Sequence, residues 1–184
     1  MAYYTASPIS LTVNAEAYVN SLKSLQKPQL DKVVALALVD TAKSAKSKAA
    51  SLIAKRTGLK VATVKTRIFQ DHVAIGDYEV AVRSSRKPIP LIEFPTTQTA
   101  SGVSTRAWGK QQVIAHAFIA TMKSGHRGAF RRETKSRLPI KELWGPTIYG
   151  TFKTKEVQAV ISDTMKARLQ TSLARRMAAA SRGH

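Results

Sequence analysis

Cysteine is absent from the 184 residues, which removes disulfide staples and thiolate metal sites. Acids are scarce, 11 Asp and Glu against 30 Lys and Arg, for a formal net charge of +19. The few carboxylates show no pairing suited to general acid–base work. The four histidines are His72, His116, His126 and His184, and none has the two-histidine spacing of a zinc-binding helix. His116 lies in an apolar run and reads as a satisfied core or sheet-face histidine, while His184 is terminal. No P-loop, dinucleotide-binding glycine pattern or nucleophile elbow occurs. No apolar run approaches the roughly 18 residues that a membrane helix needs. Met1-Ala2-Tyr3-Tyr4 lacks the basic and apolar regions of a secretory signal. The expectation is a protein with no catalytic residues, no cofactor, no metal and no membrane partner.

Hydrophobic residues make up 43% of the chain, enough for a core. Residues 1–184 are expected to form one domain with an N-terminal arm over 1–13, a Pro-rich loop or arm over 84–101 and an assembly helix over 152–184. The charge imbalance points to nucleic acid, to an acidic protein surface or to an assembly whose neighbours neutralise it. The positive charge is clustered. Residues 43–67 hold eight Lys or Arg and no acid, 123–137 six and one, and 153–182 seven and two. Lys43, Lys46, Lys48, Lys55, Arg56, Arg175 and Arg176 are the candidates for contact with DNA or an acidic surface.

Periodicity gives the coarse fold. Ile9, Leu11 and Val13 alternate as in a short strand, and Asn14 is placed to cap a helix to about Leu25. Leu30, Val34, Leu38, Ala42, Ala45, Ala49 and Leu52 trace a long helix closed by Gly58. A short helical turn follows over 59–67. Strand patterns appear at 68–72, 78–82, 103–108, 113–119 and 129–132. The run at 113–119 has the continuous apolar character of a central strand. Leu91, Ile92 and Phe94 interrupt the Pro-rich segment and are candidates for contact between subunits. Val157, Ile161, Met165, Leu169, Leu173 and Met177 stand four apart on the closing helix. Each step drifts by about 40°, so the stripe turns through about 200°. On a flat partner only its first half can be covered, which makes Leu169, Leu173 and Met177 further inter-subunit candidates. The class is α+β: an antiparallel sheet of about four to six strands, a long helix in the N-terminal half packed on it, and a long C-terminal helix.

Two motifs stand out. Residues 50–67 imitate a helix-turn-helix, with Gly58 at the turn and Val61 and Val64 to pack a second helix. This supports an alternative reading as a cytosolic nucleic-acid-binding regulator, but the second helix ends early. The other motif is Arg137-Leu138-Pro139-Ile140-Lys141-Glu142-Leu143-Trp144-Gly145-Pro146. Pro139 favours an extended Leu138, residues 141–144 suit one helical turn, and Gly145-Pro146 stops it. Local physics makes this a rigid corner around a buried tryptophan. The whole run is the candidate motif for subunit packing. Glu142 is the one acid in unusual company, suited to a backbone N–H or an arginine.

This corner carries a family resemblance. Ala117-Phe118-Ile119, Gly125, Gly128-Ala129-Phe130-Arg131-Arg132 and then the corner, in that order, resemble the prophage minor tail protein Z family. The Lys55-Arg56-Thr57-Gly58 helix end, the apolar segment 88–94 and Gly102-Val103 fit the same pattern, so the resemblance spans roughly residues 30–150. It implies a structural virion protein of a tailed bacteriophage, made in the host cytoplasm. Its place would be tail completion or the neck, helping to join head and tail. Its implied partners are copies of itself in a ring of roughly six or twelve, the tail terminator or tube or head–tail connector proteins, and genomic DNA through non-specific contact.

Overall fold

Val34, Leu38, Ala42, Ala45, Ala49 and Ile53 recur at three- and four-residue spacing, and the chain forms one helix through them, α1 (Lys27–Thr57). All six side chains are fully buried. Gly58 closes the helix with φ 73°, and its N–H donates to the Ala54 carbonyl at 2.9 Å. The structure is a computed structural model that describes residues 10–15, 27–134, 136 and 138–181. The helix anticipated over 14–25 falls mainly outside these residues, and Asn14 itself ends a strand. Arg137 and His184 also lie outside them.

The second long helix, α4 (Lys155–Ser181), packs on α1 more extensively than any other two described elements touch. Val157, Ile161, Met165, Leu169 and Leu173 are all buried in the chain's own core, and Met177 packs at its margin. The expectation that half of this stripe turns away from its own subunit is therefore corrected. That argument assumed a flat partner. The actual partner is a helix, whose i±4 ridges are slanted and can follow a slanted row along its length. Ala42, Ala45 and Ala49 are fully buried and add little bulk to the inner face of α1.

The strands are short and divided among four small antiparallel sheets, none with more than three described strands. β3 (Glu79–Ser84) lies between β1 (Ser10–Asn14) and β2 (Ile68–Gln70). β4 (Ile89–Pro90), a 3-10 turn (Leu91–Glu93) and β5 (Thr96–Thr99) replace the loop expected over 84–101. β5 pairs with β6 (Gly102–Thr105), and β6 with β7 (Gln112–Ala115). β8 (Ala117–Thr121), β9 (Arg127–Arg132) and β10 (Ile140–Glu142) form a third sheet, and β11 (Trp144–Gly145) pairs with β4. Two short helices, α2 (Val61–Lys65) and α3 (Tyr149–Phe152), complete the described elements.

The α+β class and both long helices match the expectation, but the sheet is not continuous. The break is clearest at His116, which takes φ 59° and splits the apolar run into β7 and β8, in different sheets. Val113 is 50% exposed, and His116 is exposed in the turn between β7 and β8, so the central strand is not found and His116 is neither a core nor a sheet-face histidine. One hydrophobic core joins α1, α4, the 3-10 turn and the inner faces of β3 and β9.

Candidate functional site

The corner at 138–146 is built from two strands, not from a strand and a helical turn. β10 pairs Ile140 with Arg132, Lys141 with Arg131 and Glu142 with Phe130. β11 then pairs Trp144 with Pro90 and Gly145 with Ile89. Leu143 crosses between the two sheets. Its N–H donates to the Ala129 carbonyl at 2.8 Å, and its carbonyl accepts from the Leu91 N–H at 2.9 Å. Extended geometry prevails because both backbone faces find partners that a single helical turn could not supply.

Gly145 allows β11 to lie on the Phe94 ring, where an added Cβ would stand 2.5 Å from a ring carbon. Phe94 and Leu91 are themselves core residues, and Ile92 is half-buried. Ile140, Leu143 and Pro146 are half-buried. The Glu142 carboxylate meets the His126 ring at 2.9 Å, in place of the expected arginine or backbone N–H. Trp144 is 49% exposed and Leu138 67% exposed. The buried tryptophan is therefore corrected: it is the neighbouring glycine that faces the core, and strand alternation sends Trp144 outward.

The seven candidate cations divide by chemistry. Arg56 pairs with Glu156 and donates to the Thr154 hydroxyl, tying the end of α1 to the start of α4. Arg175 and Arg176 both reach Asp40 of α1, at 2.8 and 2.9 Å. Burial alone pushes the Asp40 carboxyl up, but hydrogen bonds and charge from Arg176 and Arg175 outweigh it and hold its pKa below the ordinary value. These three arginines lock the helix pair, a task suited to the planar guanidinium fork. Among the described residues Lys43, Lys46, Lys48 and Lys55 take part in no ion pair, and all but half-buried Lys46 are exposed. Asp40 was missed by sequence reasoning, although a lone acid just before eight uninterrupted cations was a usable signal.

The helix-turn-helix imitation does not hold its shape. α2 spans five residues, and β2 begins at Ile68. A single turn cannot lay several side chains along a major groove. No group of three His, Asp or Glu among the described residues could hold a metal ion, and none of their helices is long and apolar enough to cross a membrane.

Two long helices cross-linked by arginine, small antiparallel sheets and an outward-facing corner define a basic α+β protein. Residues 14–181 match the family model of prophage minor tail protein Z (GPZ). The chain belongs to that family and is a phage minor tail protein, a structural component of the virion. No curated protein and no solved structure matches it.

Proposed function

We propose that the chain is a tail-completion or neck component that helps join head and tail, as one subunit of a ring around the DNA conduit. The observation that carries this reading is the set of α1 lysines that have no carboxylate partner among the described residues. Ion pairs engage Asp40, Asp71, Glu133, Glu142 and Glu156, yet leave Lys43, Lys46, Lys48 and Lys55 without a carboxylate among the described residues. Lysines spread along and around a rigid helix suit sliding, salt-dependent contact with phosphates, which a conduit requires and sequence reading does not. Exposed Trp144 and Leu138 supply apolar area for a neighbouring subunit or connector protein, as do the half-buried Ile92 and Met177. Leu91, Phe94, Leu169 and Leu173 serve the subunit's own core first, and they support assembly by holding these surfaces in place.

Localisation tests the reading. Micrographs of intact particles, with the chain tagged, are expected to place it between capsid and tail tube. Density confined to the distal tip would overturn the proposal. A salt titration of DNA binding is expected to show weak, sequence-indifferent affinity that falls steeply with ionic strength. Selective binding that persists at moderate salt would revive the regulator.

A further inference from the structure

β7 is the last strand of its sheet, with β6 on one side and no described strand on the other. Its sequence, Gln112-Val113-Ile114-Ala115, contains neither charge nor proline, the usual protections of an open edge. Val113 is half exposed, and the strand stops at the left-handed His116. Beside it runs an open groove of about 1020 Å³. One wall is Ile114, Ala115 and His116. The other is Arg131, Arg132, Glu133 and Thr134.

The two walls ask for different things. An unpaired strand edge offers backbone donors and acceptors at strand spacing, which another extended backbone satisfies at about 4.8 Å. The far wall offers guanidinium groups. Arg132 lies over the Phe118 ring at 5.1 Å. Neither Arg131 nor Arg132 meets a carboxylate among the described residues, while Glu133 has Lys141 3.8 Å away. Carboxylates are the groups that such forks take bidentately.

We propose that the β7 edge and the Arg131–Arg132 wall together seat an extended acidic segment of a partner protein, added to the sheet as a further strand. Charge disfavours a second copy of this chain as the occupant, because each copy carries +19. Nucleic acid satisfies the arginines but has no peptide N–H to pair with the carbonyls of β7. The inference does not depend on where the chain sits in the virion.

The test uses the full chain and a short capped peptide alternating glutamate and threonine. Three comparators accompany it: the same peptide N-methylated at every residue, a lysine–threonine version, and an oligothymidylate of equal charge. The glutamate peptide is expected to bind and to slow amide exchange at residues 112–116. N-methylation keeps the charge but removes strand pairing, and is expected to weaken binding at least about tenfold. The double variant R131E/R132E, which changes two exposed side chains, is expected to lose about as much while its circular dichroism is unchanged. Equal binding of the N-methylated or lysine peptide would overturn the proposal. So would protection elsewhere, no measurable binding of the glutamate peptide, or an oligothymidylate that displaces it and protects the same amides.

Discussion

Asp40 of α1 accepts hydrogen bonds from both Nε and Nη2 of Arg176 of α4, at 3.2 and 2.9 Å, and a third from Arg175. This contact joins the two long helices 136 residues apart in sequence. Asp40→Asn keeps the shape and removes the charge. It is expected to cost about 1–3 kcal/mol of stability in urea denaturation at neutral pH. Because the folded pKa is held below the unfolded value, the ion pair stabilises at pH above about 4 and is lost as pH falls through the folded pKa. The wild type is therefore expected to lose more stability than Asp40→Asn as pH drops from about 5 to 2. Parallel acid limbs for the two proteins would refute this assignment.

The buried alanines of α1 make a separate prediction. Ala45 of α1 has no exposed surface. Ala45→Leu adds three carbon atoms at a fully buried position, and overpacking of this kind costs about 1–3 kcal/mol. Leu169→Ala makes a cavity in the same hydrophobic core and is expected to cost about 2–5 kcal/mol. Both are read from denaturation midpoints. If Ala45→Leu is neutral, the core around this face of α1 has room that its full burial does not suggest.

These helices were legible because each of their rows obeys one period over many turns, and the class followed from them. The closing row was misassigned for a reason the sequence does not display: its partner's shape. The sheets were less legible because their strands are short and their boundaries depend on single residues. His116 adopts a left-handed conformation inside an apolar run, and nothing in Ala115-His116-Ala117 announces it. The site was legible as a place but not in its orientation. A corner at 138–146 follows from its prolines and glycine. Which of Trp144 and Gly145 faces inward depends on a strand register that Leu91 and Ala129 impose from elsewhere in the chain. The cations were visible as clusters, but the split between locking arginines and lysines with no ion pair among the described residues required the position of Asp40.

Gly102 offers a sharp backbone test. It takes φ 145°, and a Cβ there would fall 2.1 Å from the Ile114 carbonyl oxygen. Backbone cannot step aside as a flexible side chain can. Gly102→Ala is expected to cost at least about 2 kcal/mol and to open the β6–β7 pair to amide exchange. Gly109 also has positive φ, 81°, but a Cβ there meets nothing within 4 Å. Gly109→Ala is expected to cost only the left-handed strain, about 1 kcal/mol. Similar losses in the two variants would mean that the close approach at Gly102 is not what constrains it.

Adjacent positions in β11 separate folding from assembly. Gly145→Ala drives a methyl into the Phe94 ring and is expected to destabilise the isolated chain, because Phe94 is packed in the core on all sides. Trp144 pairs with Pro90 through its backbone, and its side chain is half exposed. Trp144→Ala is therefore expected to change the stability of the isolated chain by no more than about 1 kcal/mol. In the phage the order reverses if Trp144 is a contact with a neighbouring subunit. Complementation with Trp144→Ala is then expected to yield separate capsids and tails, with the variant chain present at normal level and folded. An exposed tryptophan that meets no partner would leave infectivity unchanged, and that result would remove the corner from the assembly surface.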